Sequence, residues 1–222
     1  MEYVDQSTAV RVLVVGHFTP CASLTHVPDS FPQQSSNLIS INNAGHAIMR
    51  VDTTPQVTGN RNSVRIQTQF SFTGGLVILD SVHMPSGCGT WAAFWTNGAL
   101  WPTTGEIDIV EGVNDYTNNQ ATLHTGAGCT LPNNINALNS SGTLVSGTNC
   151  AAVQTNNEGC GYRATQTNSF GAAFNNNGGG VFASEFCCYS IYPLNALSAW
   201  PSILIWVLGS ALGRYGYIHL VL

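Results

Sequence analysis

The chain contains no lysine, and its only basic residues besides histidine are six arginines (Arg11, Arg50, Arg61, Arg65, Arg163 and Arg214). With 11 acidic residues, only 8% of the 222 residues are charged, for a formal net charge of −5. Nucleic-acid binding needs clustered Lys and Arg to displace counterions, so that partner is excluded. No CxxC or HxxxH spacing occurs among the seven cysteines and six histidines, so no metal site is expected, and no cofactor. The opening Met1-Glu2-Tyr3-Val4-Asp5-Gln6 lacks the basic and apolar regions of a signal peptide. A long uninterrupted apolar run is missing too. Phe186–Gly213 carries no charge, but Pro193, Asn195, Pro201 and several serines break it. Its strongly apolar part, Ile203–Leu208, is about half of a membrane span, so a membrane anchor is the weaker reading of this tail.

What is present points to a folded β-protein. Hydrophobic residues make up 44% of the chain, rich in Val, Ile, Leu and Phe, which rules out the disordered signature that low charge alone would suggest. A length of 222 residues fits one domain over 1–222, a single large sandwich. A neutral, polar surface suits a neutral polysaccharide better than a charged partner. Cys88, Cys129, Cys150 and Cys160 form an even set that allows three pairings, while Cys21, Cys187 and Cys188 stand apart. Disulfides imply an oxidising compartment, and one sequon, Asn139-Ser140-Ser141, is compatible with secretion.

The strands are short and closely spaced. Leu38–Ile41 and His46–Val51 flank a turn of Asn42, Asn43, Ala44 and Gly45. Ser63–Phe72 alternates, with Val64, Ile66, Thr68, Phe70 and Phe72 on one face and Arg65, Gln67 and Gln69 on the other. Leu76–His83, Thr90–Trp95, Ile107–Glu111, Ala121–Thr125 and Val181–Ser184 complete the set. Little helical periodicity intervenes, so the expected class is all-β, an antiparallel sandwich. Gly128–Gly180, rich in Asn, Gly and Ser and holding three cysteines, reads as long stapled loops.

One stretch concentrates the chemistry. Gly105-Glu106-Ile107-Asp108-Ile109-Val110-Glu111-Gly112 sets three carboxylates within six positions on a β-branched background. In a regular strand Glu106 and Asp108 share a face, but Glu111 lies an odd number of steps from Glu106 and points away. One extra residue, a β-bulge, restores the parity, and bulges gather beside active sites. The two Glu Cα atoms then lie roughly 13 Å apart along the strand. Their arms can bring the carboxyls to about 5–5.5 Å, the separation of a retaining glycosidase pair. The plainer alternative, three solvated acids on an exposed strand, fits poorly because Asp and Glu are disfavoured in strands.

The motif GEIDIVEG resembles the bulged active-site motif of glycoside hydrolase family 16, in its fungal laminarinase-like endo-β-1,3(4)-glucanase branch. GCGTWAAFW (87–95), NGALWP (97–102), GVNDYTNNQATLHT (112–125), FNNNGGGVFA (174–183) and MRVDTTPQVTGNRNSVRI (49–66) resemble it as well. The likeness covers about 36–185, plus Tyr3–Ala9. It implies a jelly-roll (concanavalin-like) sandwich and hydrolysis of internal β-1,3 and/or β-1,4 linkages by a retaining double displacement. Glu106 would be the nucleophile, Glu111 the acid/base with a raised pKa, and Asp108 the hydrogen-bonding neighbour of Glu106. Trp95 and Trp101 would line the cleft, with Trp91 in the core; His124, Asn97 and Arg65 would contact substrate.

The likeness also implies a monomer acting on β-glucan outside the cell, with a structural calcium known in some relatives but unsupported by this sequence. Residues 10–34 are read as an insertion and 186–222 as an atypical tail on a sandwich shortened at its C-terminus. A retained intron translated in frame would explain the first, and a spliced transcript still carrying it would contradict that. A glucan-binding module or inactive fragment of such an enzyme is the alternative, and the presence of all three acids weighs against it.

Overall fold

The computed structural model describes residues 38–68, 72, 75–133 and 141–186, with the backbone of strands at 7–15, 203–208 and 216–221. Thirteen described strands and one short helix follow in order: β1 (Ser7–Val15), β2 (Ile39–Ile41), β3 (Ala47–Arg50), β4 (Arg65–Gln67), β5 (Gly75–Ser81), β6 (Trp91–Gly98), β7 (Glu106–Val113), β8 (Gln120–His124), β9 (Thr143–Val145), β10 (Cys160–Arg163), α1 (Gly171–Asn176), β11 (Gly180–Phe186), β12 (Ile203–Leu208) and β13 (Gly216–Val221). They build two sheets, ordered β12-β11-β5-β1-β3-β2 and β4-β13-β6-β7-β8-β10-β9. The expected antiparallel sandwich is present, with one exception: β12 runs parallel to β11.

The expected strands form at the expected places, but the run Ser63–Phe72 gives only the three-residue β4 among its described residues. Asn42 makes the first hairpin, its Oδ1 accepting from the N–H groups of Ala44 and His46 at 3.0 and 2.9 Å. Gly45 supplies the left-handed residue at φ +78°. Val64, Thr68 and Phe72 are buried while Arg65 and Gln67 are exposed, as their alternation predicts. Phe70 and Gln69 lie outside the described residues.

The core lies between the sheets. Met49, Val77, Leu79 and Phe182 from the first sheet meet Phe94, Ile107, Ile109, Val110 and Leu123 from the second. Phe174 of α1 stacks on Phe182 with centroids 5.5 Å apart. Each such fully buried Phe contributes roughly 2–3 kcal/mol of transfer free energy. Gly112 is required by this packing, since a Cβ there would meet the Phe170 ring at 2.6 Å.

Three sequence expectations need revision. Gly128–Gly180 is not all loop, because β9 and β10 extend the second sheet beyond β8. Those strands are three and four residues long, too short for a period to show. Of the four central cysteines, Cys150 and Cys160 are bonded, while Cys88 and Cys129 carry free thiols. The tail beyond Glu185 supplies β12 and β13, where no strand was expected.

Val10–Val15 forms the second half of β1, between β3 and β5. Residues 16–34, with Cys21, and Cys187, Cys188, Asn139 and Ser140 lie outside the described residues. Among the described residues, no helix is long and apolar enough to cross a membrane.

Candidate active site

The site is written on β7 and its two neighbours. On β6, Trp95 stands opposite Asp108 and Phe94 opposite Val110, so Ile109 is an extra residue on β7. On β8, the pairing jumps from Asp108↔Thr122 to Glu111↔Gln120. This is the bulge that the carboxylate parity demands. Its physical driver is the pair of consecutive apolar residues Ile109 and Val110, both of which sit in the core at 1% and 3% exposure. A regular strand would push one of them into solvent. With the extra residue, Glu106, Asp108 and Glu111 are brought to the same face.

Across that face the side chains form rows. Asn97, Glu106 and His124 stand side by side on β6, β7 and β8; Trp95, Asp108 and Thr122 form the next row; Ala93, Glu111 and Gln120 the third. His124 Nε2 lies 3.3 Å from Asp108 Oδ2. Gly159, at φ +63°, lets its backbone close against His124, because a Cβ there would clash with the Leu123 carbonyl and sit 3.0 Å from His124 Nδ1.

Each glutamate has its own tryptophan. Trp101, 46% exposed on the loop between β6 and β7, donates its indole N–H to Glu106. Trp91 donates its indole N–H to Glu111 Oε1 at 2.8 Å. Trp91 is 60% exposed, so its expected core position is wrong. It shares a strand face with Trp95, as an unbroken β6 requires, because the extra residue of the irregular pair belongs to β7.

Trp95 is half-buried, and the Arg65 guanidinium covers one face of its ring, 4.5 Å from the centroid. Arg65 thus reaches the site through Trp95. Asn97 is half-buried beside Glu106.

Burial and mutual repulsion raise all three acids. Glu106 is pushed from 4.5 to about 7, first by burial, then by the Asp108 charge, against the lowering effect of His124 and the Trp101 N–H. Asp108, wholly buried, is held well above the usual carboxylate range by burial and by Glu111. Glu111 is raised by burial and by Glu106, opposed by the Trp91 N–H and His124. The sequence singled out Glu111 as the raised acid; the rise extends to the whole triad because the triad shares one desolvated face. One oxygen or nitrogen from each of Glu106, Asp108 and His124 lies within 4.8 Å of the others, a spacing that could hold a cation.

Sequence reasoning also missed Asn119, a wholly buried residue on the turn before β8. Its Nδ2 donates to the Ile109 carbonyl at 2.9 Å, and its Oδ1 accepts from the Glu111 N–H at 3.0 Å. No pattern marks it among the neighbouring Thr117, Asn118 and Gln120.

Comparison with known proteins gives this geometry a context. Residues 29–194 match the family model described as the XgeA-like, catalytic GH16 domain. The chain is 48% identical over 146 residues to a probable glycosidase of Schizosaccharomyces pombe, covering 65% of this chain and 34% of that protein. It is 39% identical over 173 residues to an endo-1,3(4)-beta-glucanase of Arthroderma benhamiae, covering 75% and 37%. The chain therefore spans about a third of the length of these curated relatives. Among solved structures it resembles GH16 laminarinase 16A from Phanerochaete chrysosporium, which holds beta-glucans in donor and acceptor sites. The TM-score is 0.70 and the identity 29%, over 95% of this chain and 78% of that one.

Proposed function

This chain belongs to glycoside hydrolase family 16, and on that premise we propose that it hydrolyses internal β-1,3 and/or β-1,4 linkages of β-glucans with retention. The observation that carries the reading is the bulge at Ile109, which sets Glu106 and Glu111 on one face with Asp108 between them. Glu111 donates a proton to the glycosidic oxygen while Glu106 attacks the anomeric carbon, so the leaving half departs and a glycosyl–Glu106 ester forms. Glu111, now a carboxylate, takes a proton from water, and that water displaces Glu106.

The resting site favours this division of labour. Asp108 and Glu106 are hydrogen-bonded, a contact that raises Glu106 and lowers Asp108, so the two carboxyls hold one proton between them in the resting site. Attack requires that proton to pass to Asp108, which then donates its hydrogen bond to an ionised Glu106. In this reading the sugar rings stack their CH faces on Trp101 and Trp95, and Asn97, His124 and Arg65 bond their hydroxyls. No step of this scheme uses a metal ion. A monomeric, extracellular enzyme fits the neutral surface and the Cys150–Cys160 disulfide.

Reducing-end release from a β-1,3-glucan tests the reading. Activity that disappears in Glu106→Gln supports it; a folded chain whose activity survives that substitution overturns it.

A further inference from the structure

The bulge creates a problem in the ladder. Between Asp108↔Thr122 and Glu111↔Gln120, two residues of β7, Ile109 and Val110, face the single Ala121 of β8, and the Ile109 carbonyl and the Glu111 N–H flank Val110 at this break in the regular ladder. Both are deep in the sheet, where an unmet backbone group is costly. The Asn119 side chain meets both at once, donating to one and accepting from the other. An amide is the only short side chain that offers a donor and an acceptor at peptide-like spacing.

Asn119 is itself held tightly. Its N–H donates to Ser169 Oγ at 2.9 Å, and its carbonyl accepts from the Ala164 N–H at 2.8 Å. Ser169 Oγ in turn donates to the Gln166 carbonyl at 2.7 Å. The residue is wholly buried and out of reach of any substrate.

We propose that Asn119 is a positioning residue for the acid/base: its side-chain amide bridges the break that the bulge makes in the ladder and fixes the main chain from which Glu111 projects. This rests on the reading of Glu111 as acid/base. The effect is one-sided. Glu106 lies before the bulge, in regular register with Asn97 and His124, so its placement does not depend on Asn119. Loss of Asn119 therefore impairs proton donation to the leaving group while sparing nucleophilic attack.

Leaving-group dependence tests this in the full chain. Asn119→Ala and Asn119→Asp, which keeps the shape but loses the donor to Ile109, are assayed on β-1,3-glucan and on a dinitrophenyl β-glycoside of laminaribiose. The latter leaves without protonation. The expected result is a fall of about a hundredfold in kcat/KM on glucan, as for an acid displaced by about 1 Å. The aryl glycoside should change by less than about threefold, with its kcat raised by azide, which needs no base. Equal losses on both substrates, or no loss on glucan, would overturn the proposal.

Glu111→Ala is the control for the underlying reading. If that variant fails to separate the two substrates, the acid/base assignment itself is at fault. Should the Asn119 variants not fold, hydrogen exchange in the unaltered protein decides. The Glu111 amide must be protected as strongly as the β8 ladder amides, and exchange at the rate of an exposed loop contradicts the bond.

Discussion

The two halves of β7 carry chemically identical side chains in different surroundings. Before the bulge, Glu106 stands in unbroken register between Asn97 and His124, bonded to Asp108 and Trp101. After it, Glu111 stands between Ala93 and Gln120, with Trp91 on its carboxylate and its own backbone N–H held by the side chain of Asn119. One glutamate is surrounded by groups that decide where a proton sits; the other is placed by groups that decide where its main chain sits. The difference teaches that one strand can assign two roles to one residue type, provided that an irregularity separates their neighbourhoods.

The largest effects come from removing either partner. Glu106→Gln should lower glucan hydrolysis by about 10⁴-fold or more, since no other group supplies the nucleophile. Glu111→Gln should cost about 10²- to 10⁴-fold on glucan, the usual range for a general acid–base. Steady-state rates on the two variants check both values, and equal residual activity on aryl glycosides would erase the asymmetry.

The two tryptophans sharpen the comparison through pH. Each indole N–H stabilises the ionised form of its glutamate. In Trp101→Phe the Glu106 pKa rises, so the acidic limb of the kcat/KM profile moves to higher pH. In Trp91→Phe the Glu111 pKa rises, so the alkaline limb moves to higher pH instead. Both limbs moving in either variant would mean that the halves titrate as one unit.

Stability should show the cost of this site. Glu106 binds its proton more tightly in the folded protein, at about 7 against 4.5 when unfolded, so its contribution to stability is full below 4.5 and lost as pH rises through 7. Thermal melts across that window should fall with pH, and Glu106→Gln should flatten the slope.

A smaller effect is expected away from the cleft. Replacing Cys150 and Cys160 by serine opens a crosslink with a sequence separation of 10, worth about 3 kcal/mol by loop-closure entropy. Tm should drop while glucan hydrolysis at 25 °C stays unchanged. Chelation by EDTA is the smallest expected effect, no change in rate, and a lost activity restored by a divalent cation would assign the Glu106, Asp108 and His124 cluster to a metal.

How far the sequence reveals this arrangement depends on whether a residue's partner is local. The bulge is legible because the parity of Glu106, Asp108 and Glu111 and the doublet Ile109-Val110 lie in one stretch. Trp91 is instructive: strand parity alone pairs it with Trp95, and separating them demands an irregularity in β6 that the fold does not contain. Asn119 gives no such signal, since its partners are backbone groups ten and eight residues earlier, exposed only by the bulge. β9 and β10 are hidden for a similar reason, because pairing of β10 to β8 and of β9 to β10, rather than any pattern of their own, makes them strands.

The central claim is that the bulge turns two glutamates of one strand into a retaining pair. Proton NMR of the first product released from a β-glucan tests it most directly. The account predicts that the β-anomer appears first and mutarotates afterwards to the mixture. An α-anomer appearing first would show that water, not Glu106, attacks the anomeric carbon, and the account would be contradicted.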